Sequence, residues 1–209
     1  MLPFQMLHLR ERANAILAPL ARRTPLSPNA LTMIALALNL TAAVALALAA
    51  QRREWFLAAV GLAAVGGTLD VLDGVVAREK GLTSRWGDFL DHFADRVSDS
   101  ALLAGWVIGS RVSPSLGLIS VVAVLLNGYA GTQLEASFGA REYRSTGRGE
   151  FFVAILGLPL LAWFGGERLA AVRAGGLTIF EILTLLIAFL AMVGVVQRLG
   201  EARKLAGRG

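Results

Sequence analysis

Six long runs of Ala, Leu, Val, Ile and Gly are separated by short polar gaps, at residues 30–50, 55–76, 86–109, 113–137, 150–164 and 177–196. A helix needs about 20 apolar residues to cross the hydrocarbon core of a bilayer, so these runs predict six transmembrane helices, the fifth of them short. Ser27 or Asn29 is placed to cap the first span. Gly61, Gly66 and Gly67 in the second let a neighbouring helix approach closely. Ahead of the spans, Leu2, Phe4, Met6, Leu7, Leu9, Ile16, Leu17 and Leu20 alternate with Arg10, Glu11, Arg12, Arg22 and Arg23. That pattern predicts an amphipathic helix lying in the membrane interface, ended by Pro25 and Pro28; a helix packed on a partner protein carries the same pattern. It lacks the compact apolar core and small-residue cleavage site of a signal peptide. The expectation is an all-α membrane protein with an interfacial helix at 1–28, a six-helix domain at 29–199 and a solvated basic tail at 200–209.

Composition agrees. Of 209 residues, 56% are hydrophobic, and the mean hydropathy of +0.62 exceeds that of an ordinary soluble domain. The absence of Cys excludes a disulfide framework. The net charge of +5 does not point to nucleic acid, because the basic residues sit in short loops between apolar spans rather than along one soluble face. Their distribution instead orients the chain. Arg52, Arg53, Arg111, Arg168 and Arg173 fall on one side, and nearly all other Lys and Arg fall with the termini on the opposite side. The positive-inside bias therefore makes both termini cytoplasmic, in the cell (inner) membrane.

The chemistry concentrates between Asp70 and Asp95. Asp70 and Asp73 are spaced i, i+3, and Asp91 and Asp95 are spaced i, i+4, so each pair shares a helix face. The segment between holds Gly81, Thr83, Ser84 and Gly87 and predicts a turn that folds the two helices into an antiparallel hairpin. Four carboxylates can then aim at one point on the cytoplasmic side. Acids inside a membrane are costly and usually functional, and four together would repel. A pair of divalent cations neutralises them, and hard carboxylate oxygens suit Mg²⁺ or Mn²⁺. With no Cys and only His8 and His92, a zinc site is disfavoured.

Written as a pattern, the stretch is D-x-x-D-G-x-x-A-R-x8-G-x-x-x-D-x-x-x-D, with Asp70, Asp73, Gly74, Ala77, Arg78, Gly87, Asp91 and Asp95 as its fixed members. It resembles the signature of the CDP-alcohol phosphotransferase family without departure. The resemblance implies transfer of a phosphoalcohol from a CDP-linked lipid donor, such as CDP-diacylglycerol, to an acceptor hydroxyl, releasing CMP. It implies two divalent ions held by Asp70, Asp73 and Asp91, with Asp95 as a further ligand or the general base. It implies donor contacts at Gly74, Ala77, Arg78, Ser84 and Gly87 and, at the start of the first span, from Asn29 to Thr32. A homodimer is implied on the same ground alone. Tyr129, Glu135, Ala136, Ser137, Arg148 and Glu150 resemble the corresponding loop of phosphatidylinositol phosphate synthases. Arg141, Arg144 and Arg148 suit a phosphate-bearing acceptor, although the same arginines could simply set topology. Gly131, Gln133 and Phe151 depart from that subfamily, so glycerol phosphate or another polyol stands beside inositol phosphate as acceptor.

Two other function classes fit an acidic membrane bundle. A cation or proton transporter would also line its path with acids, but gains nothing from an arginine and glycines at fixed offsets, and no paired repeat halves are visible. A non-catalytic lipid-binding relative would be expected to have lost one of the four acids. Among the remaining polar residues, Asp88 suits a helix N-terminus, and Asp99 continues the Asp91–Asp95 face as a ligand or a hydrogen-bonding residue. His92 is expected to be packed, Arg96 to pair with Asp99 or another acid, and Glu181 to sit at the interface. Trp55, Trp86, Trp106 and Trp163 fall mostly near predicted span ends, as interface anchors do.

Overall fold

The structure, a computed structural model, describes residues 16–139 and 148–207. It is all-α apart from one two-residue ribbon. Residues 16–23 form α1. The long helices are α2 (Pro28–Leu48), α3 (Trp55–Glu79), α4 (Arg85–Gly109), α5 (Pro114–Phe138), α6 (Arg148–Ala170) and α7 (Ile179–Ala206). Five of the six, all but α4, are long and apolar enough to cross a membrane among the described residues. The exception carries Asp88, Asp91, Asp95, Arg96 and Asp99, so its length fits a span while its composition does not.

Helix ends follow local chemistry. Ser27 caps α2, its hydroxyl accepting from the Ala30 amide, with Pro28 at the first position. α6 holds a break at Gly166, whose φ of 52° and ψ of −147° lie outside the helical region. Arg173–Ala174 (β1) and Leu177–Thr178 (β2) pair through a Gly175-Gly176 turn with both φ values positive, the backbone a tight hairpin requires. α7 continues past the predicted end of its span, to Ala206, so part of the basic tail is helical.

α2 packs on both α3 and α4, and α5 packs on α7; α4–α5 contacts join these groups, and α6 packs on α3. The α2–α4 crossing is close because Gly105 and Gly109 are one turn apart. A Cβ at either would meet the backbone oxygen of Ala43 or Leu46. Backbone cannot move aside as a side chain can, so Gly105→Ala and Gly109→Ala should each destabilise by about 1–3 kcal/mol. Gly61→Ala, whose methyl meets nothing within 4 Å, should not. Thermal melts of the three variants in one detergent check this.

One expectation is corrected in the core. Trp106 is not an interface anchor: it is fully buried, its ring lies against those of Phe56 and Phe180, and its indole N–H donates to Thr184 Oγ1 at 2.9 Å. A buried indole needs such an acceptor. Glu181 acts within the fold. It forms a capping box with Thr178 at the start of α7 and accepts from the Ser113 amide at 3.3 Å, tying the α4–α5 link to α7.

α1 packs Leu17 and Ala21 against Leu31, Leu69, Leu72, Val75 and Val76. Arg22 pairs with Glu79 at 2.7 Å, and Lys80 donates to the Thr24 carbonyl at 2.6 Å. Ile16 and Leu20 remain exposed on the opposite face. The described end of the N-terminal segment is thus amphipathic and fastened to the end of α3; residues 1–15 of the expected interfacial helix lie outside the described residues.

Candidate functional site

The predicted hairpin forms from α3 and α4, and its turn is tighter than the polar stretch suggests. α3 ends in a Schellman motif. The Leu82 amide donates to the Ala77 carbonyl at 2.8 Å and the Gly81 amide to the Arg78 carbonyl at 3.3 Å, with Gly81 at φ 64°. Ser84 then caps α4, its Oγ accepting from the Gly87 amide at 3.0 Å. Asp88 lies in the first turn of α4, where a negative charge meets the positive end of the helix dipole, as expected.

This hairpin brings together three of the four predicted ligands. One carboxylate oxygen each from Asp70, Asp91 and Asp95 lies within 4.8 Å of the others. Asp70 and Asp91 are half-buried and Asp95 is buried. Asp73 lies near enough to Asp70 and Asp91 to feel their charges, and its Oδ2 accepts from Thr32 Oγ1 of α2 at 2.5 Å. The i, i+3 spacing puts Asp70 and Asp73 on one broad face, about 60° apart, which lets Asp73 also reach Thr32 of α2. The residues fit a divalent cation: three hard oxygen donors converge. Unneutralised, three such charges would repel one another.

The residues expected to contact the donor fall into small groups. The Arg78 guanidinium lies over Gly74, so that a Cβ there would be 3.3 Å from its Nη1. Asn29 and Ser84 both flank Gly87, 3.3 and 3.2 Å from where its Cβ would stand. Thr32 reaches Asp73, and Ala77 is half-buried one turn beyond it. Ser84 is thus a helix cap. Of the acceptor arginines, Arg141 and Arg144 lie outside the described residues, as does the side chain of Arg148.

Other side chains complete the surroundings. His92 Nε2 lies 3.9 Å from Glu135 Oε2 on α5. Arg96 pairs with an acid of the bundle, as expected: its Nη2 lies 3.5 Å from Asp95 Oδ2. Arg198 of α7 lies against Gly131 and donates to the carbonyl and side-chain oxygens of Asn127. The sequence signal for these two arginines is the Gly128-x-x-Gly131 pair on α5, which leaves room for a guanidinium at each glycine. Comparison with a subfamily pattern hides that signal, because there Gly131 counts only as a departure.

Fold and site together define a class: a multi-pass helical membrane protein with a carboxylate cluster that fits a hard divalent cation. Comparison with known proteins narrows it. The sequence model for CDP-alcohol phosphatidyltransferase matches residues 25–197, and the chain belongs to that family of phospholipid-synthesis transferases. It is 31% identical over 195 residues to the archaetidylinositol phosphate synthase of Pyrococcus horikoshii, covering 93% of this chain and 90% of that one. The fold is similar to the crystal structure of Mycobacterium tuberculosis phosphatidylinositol phosphate synthase in complex with manganese and citrate, with a TM-score of 0.71, 24% identity and coverage of 89% of this chain and 88% of the other. Against the same protein with CDP-DAG bound, the TM-score is 0.65 at 25% identity, covering 90% and 94%.

Proposed function

We propose that this protein transfers the phosphatidyl group of CDP-diacylglycerol to a phosphorylated polyol, inositol phosphate first among them, and releases CMP. The observation that carries this is the meeting of Asp70, Asp91 and Asp95 within 4.8 Å at the mouth of the hairpin, with Arg78 over Gly74 beside them. Asp70, Asp91 and Asp95 would hold two ions, Mg²⁺ or Mn²⁺, with Asp73 as the fourth ligand. Such ions supply charge neutralisation at the attacking and leaving oxygens of an in-line displacement. Arg78 pairs with the donor diphosphate, a match of guanidinium to phosphate oxygens. Asn29, Ser84 and Gly87 line the nucleotide, and Gly74 leaves the backbone of α3 open to the phosphates.

The acceptor hydroxyl oxygen bonds to the phosphorus that carries the diacylglycerol, and the bond from that phosphorus to the oxygen of CMP breaks. CMP leaves with the bonding pair, and the hydroxyl proton passes to a carboxylate, for which Asp95, the most deeply buried of the trio, is assigned. Phosphoryl chemistry asks the protein chiefly for positioning and charge. The same proposal places α4 in the membrane as a sixth span, its acids turned into the bundle, and α1 in the cytoplasmic interface of the inner membrane. Both termini and the site are then cytoplasmic, and the enzyme is a homodimer. Arg141, Arg144 and Arg148 receive the acceptor phosphate.

Purified protein given CDP-diacylglycerol, Mn²⁺ or Mg²⁺, and a panel of inositol phosphate, glycerol 3-phosphate, serine and inositol tests the assignment. CMP release with inositol phosphate should exceed release with the others by at least about tenfold in kcat/KM, since a site built for buried polar contacts rejects molecules that leave them unpaired. A preference for glycerol 3-phosphate overturns the acceptor, and no release with any of them overturns the transferase.

A further inference from the structure

Arg96 is the one Lys or Arg within the predicted span 86–109, and a cation there needs a reason. Its guanidinium crosses from α4 to α5 and lies on Gly128: a Cβ at residue 128 would collide with Arg96 Nη1, Cδ and Cζ. The side chain is three-quarters buried, and Nη2 stands 3.5 Å from Asp95 Oδ2. Its Nε is buried without a hydrogen-bond partner among the described residues. Shape therefore does most of the holding: the missing side chain on α5 is the seat. We propose that Arg96, seated on Gly128, is the positioning residue that fixes the Asp95 carboxylate at the edge of the metal-binding trio, and that residue 128 must be glycine for it to do so.

The proposal rests on the transferase reading of the site. A carboxylate on a buried helix face has several rotamers, of which few aim an oxygen at Asp70 and Asp91. A guanidinium on its other side restricts them, as the outer partners of metal-binding carboxylates do. In a helix, alanine is otherwise preferred to glycine, so a harmful Gly128→Ala is a statement about Arg96 and not about helix formation.

The full-length protein with Arg96→Ala, Gly128→Ala, both together, and Arg96→Gln is assayed for CMP release from CDP-diacylglycerol with Mn²⁺. Each single substitution should lower kcat by about 10–100-fold, the usual cost of losing such a supporting partner, with KM for the donor lipid within about twofold. The double variant should be no worse than Arg96→Ala, because a methyl at 128 acts only through the guanidinium. Multiplicative losses, an unchanged kcat in Gly128→Ala, or a loss confined to KM overturns the proposal. If Gly128→Ala does not fold, Arg96→Gln decides: it keeps the side chain on α5 without the charge, and an unchanged kcat overturns the proposal. A wild-type protein that releases no CMP overturns the transferase itself; an active wild type with insensitive variants overturns this inference alone.

Discussion

Asp91→Asn should abolish CMP release, lowering kcat/KM by at least about 10³-fold, while the protein still inserts and folds. Asp91 stands between its partners: it shares a helix face with Asp95 and meets Asp70 across the hairpin, and one oxygen from each lies within 4.8 Å of the others. An amide keeps the shape but offers a neutral oxygen, a poor ligand for a hard dication. Losing several kcal/mol of transition-state charge stabilisation is a loss of that order, at about 1.4 kcal/mol per tenfold. Folding should survive because the change removes a like charge from an acidic cluster and leaves the core, built around Trp106, Leu103 and Leu46, untouched. Turnover is followed as CMP, and folding by helical circular dichroism and elution as a single detergent-solubilised species. Turnover equal to the wild type would remove the carboxylate trio from the chemistry.

Much of this arrangement is legible in the residues alone. Long apolar runs report themselves, because a helix in lipid has to be apolar over its whole length, and five of the six stand out on that ground. The spacing of the acids locates the hairpin, since Gly81 and Ser84 have no better use between two helices than to end one and start the next. Contact between helices is what spacing does not carry. It gives a face but not the neighbour that the face meets, so the bond of Asp73 to Thr32 on α2 is not legible in it. Trp106 sits near the end of its helix, as interface tryptophans do, yet faces inward to Thr184. Spacing gives Arg96 an acid for a partner but not its seat, an empty position on α5, far along the chain at Gly128.

The site's placement has a mechanical logic. α3 presents Asp70, Gly74 and Arg78 on one side while Leu69, Leu72 and Val76 on the other pack against α1 and α2. The end of α3 is also tied from outside, through Arg22 to Glu79 and Lys80 to the Thr24 carbonyl. Each exposed tie is weak alone, but the apolar contact of Ala21 and Leu17 gives them a fixed geometry to act in. α4 is held against α2 by the close approach at Gly105 and Gly109, below the carboxylates. The carboxylates therefore come from two helices that are fixed along their length and joined by a short capped turn, which keeps the group in register without a rigid soluble domain around it.

Removing divalent ions should both stop turnover and lower the melting temperature, and the two losses should part company in Asp91→Asn. Three carboxylate charges within 4.8 Å repel by on the order of 3 kcal/mol per pair at an effective dielectric near 20. A cation at a hundred times its Kd contributes about 2.7 kcal/mol of linkage stability, which for a chain of this size is roughly 5–10 °C in Tm. Wild-type protein taken from Mn²⁺ into excess EDTA should fall by that amount and recover, with its activity, when Mn²⁺ or Mg²⁺ returns. Asp91→Asn should melt at nearly the same temperature with and without EDTA, because it binds the ion poorly and has already lost one of the repelling charges. In EDTA it should be at least as stable as the wild type; in Mn²⁺ it should be less stable. Crossing melting curves of this kind require the ion to sit among these side chains. Turnover and Tm that survive thorough chelation in the wild type, or an EDTA shift of equal size in the variant, would mean that the carboxylates meet for some reason other than holding metal.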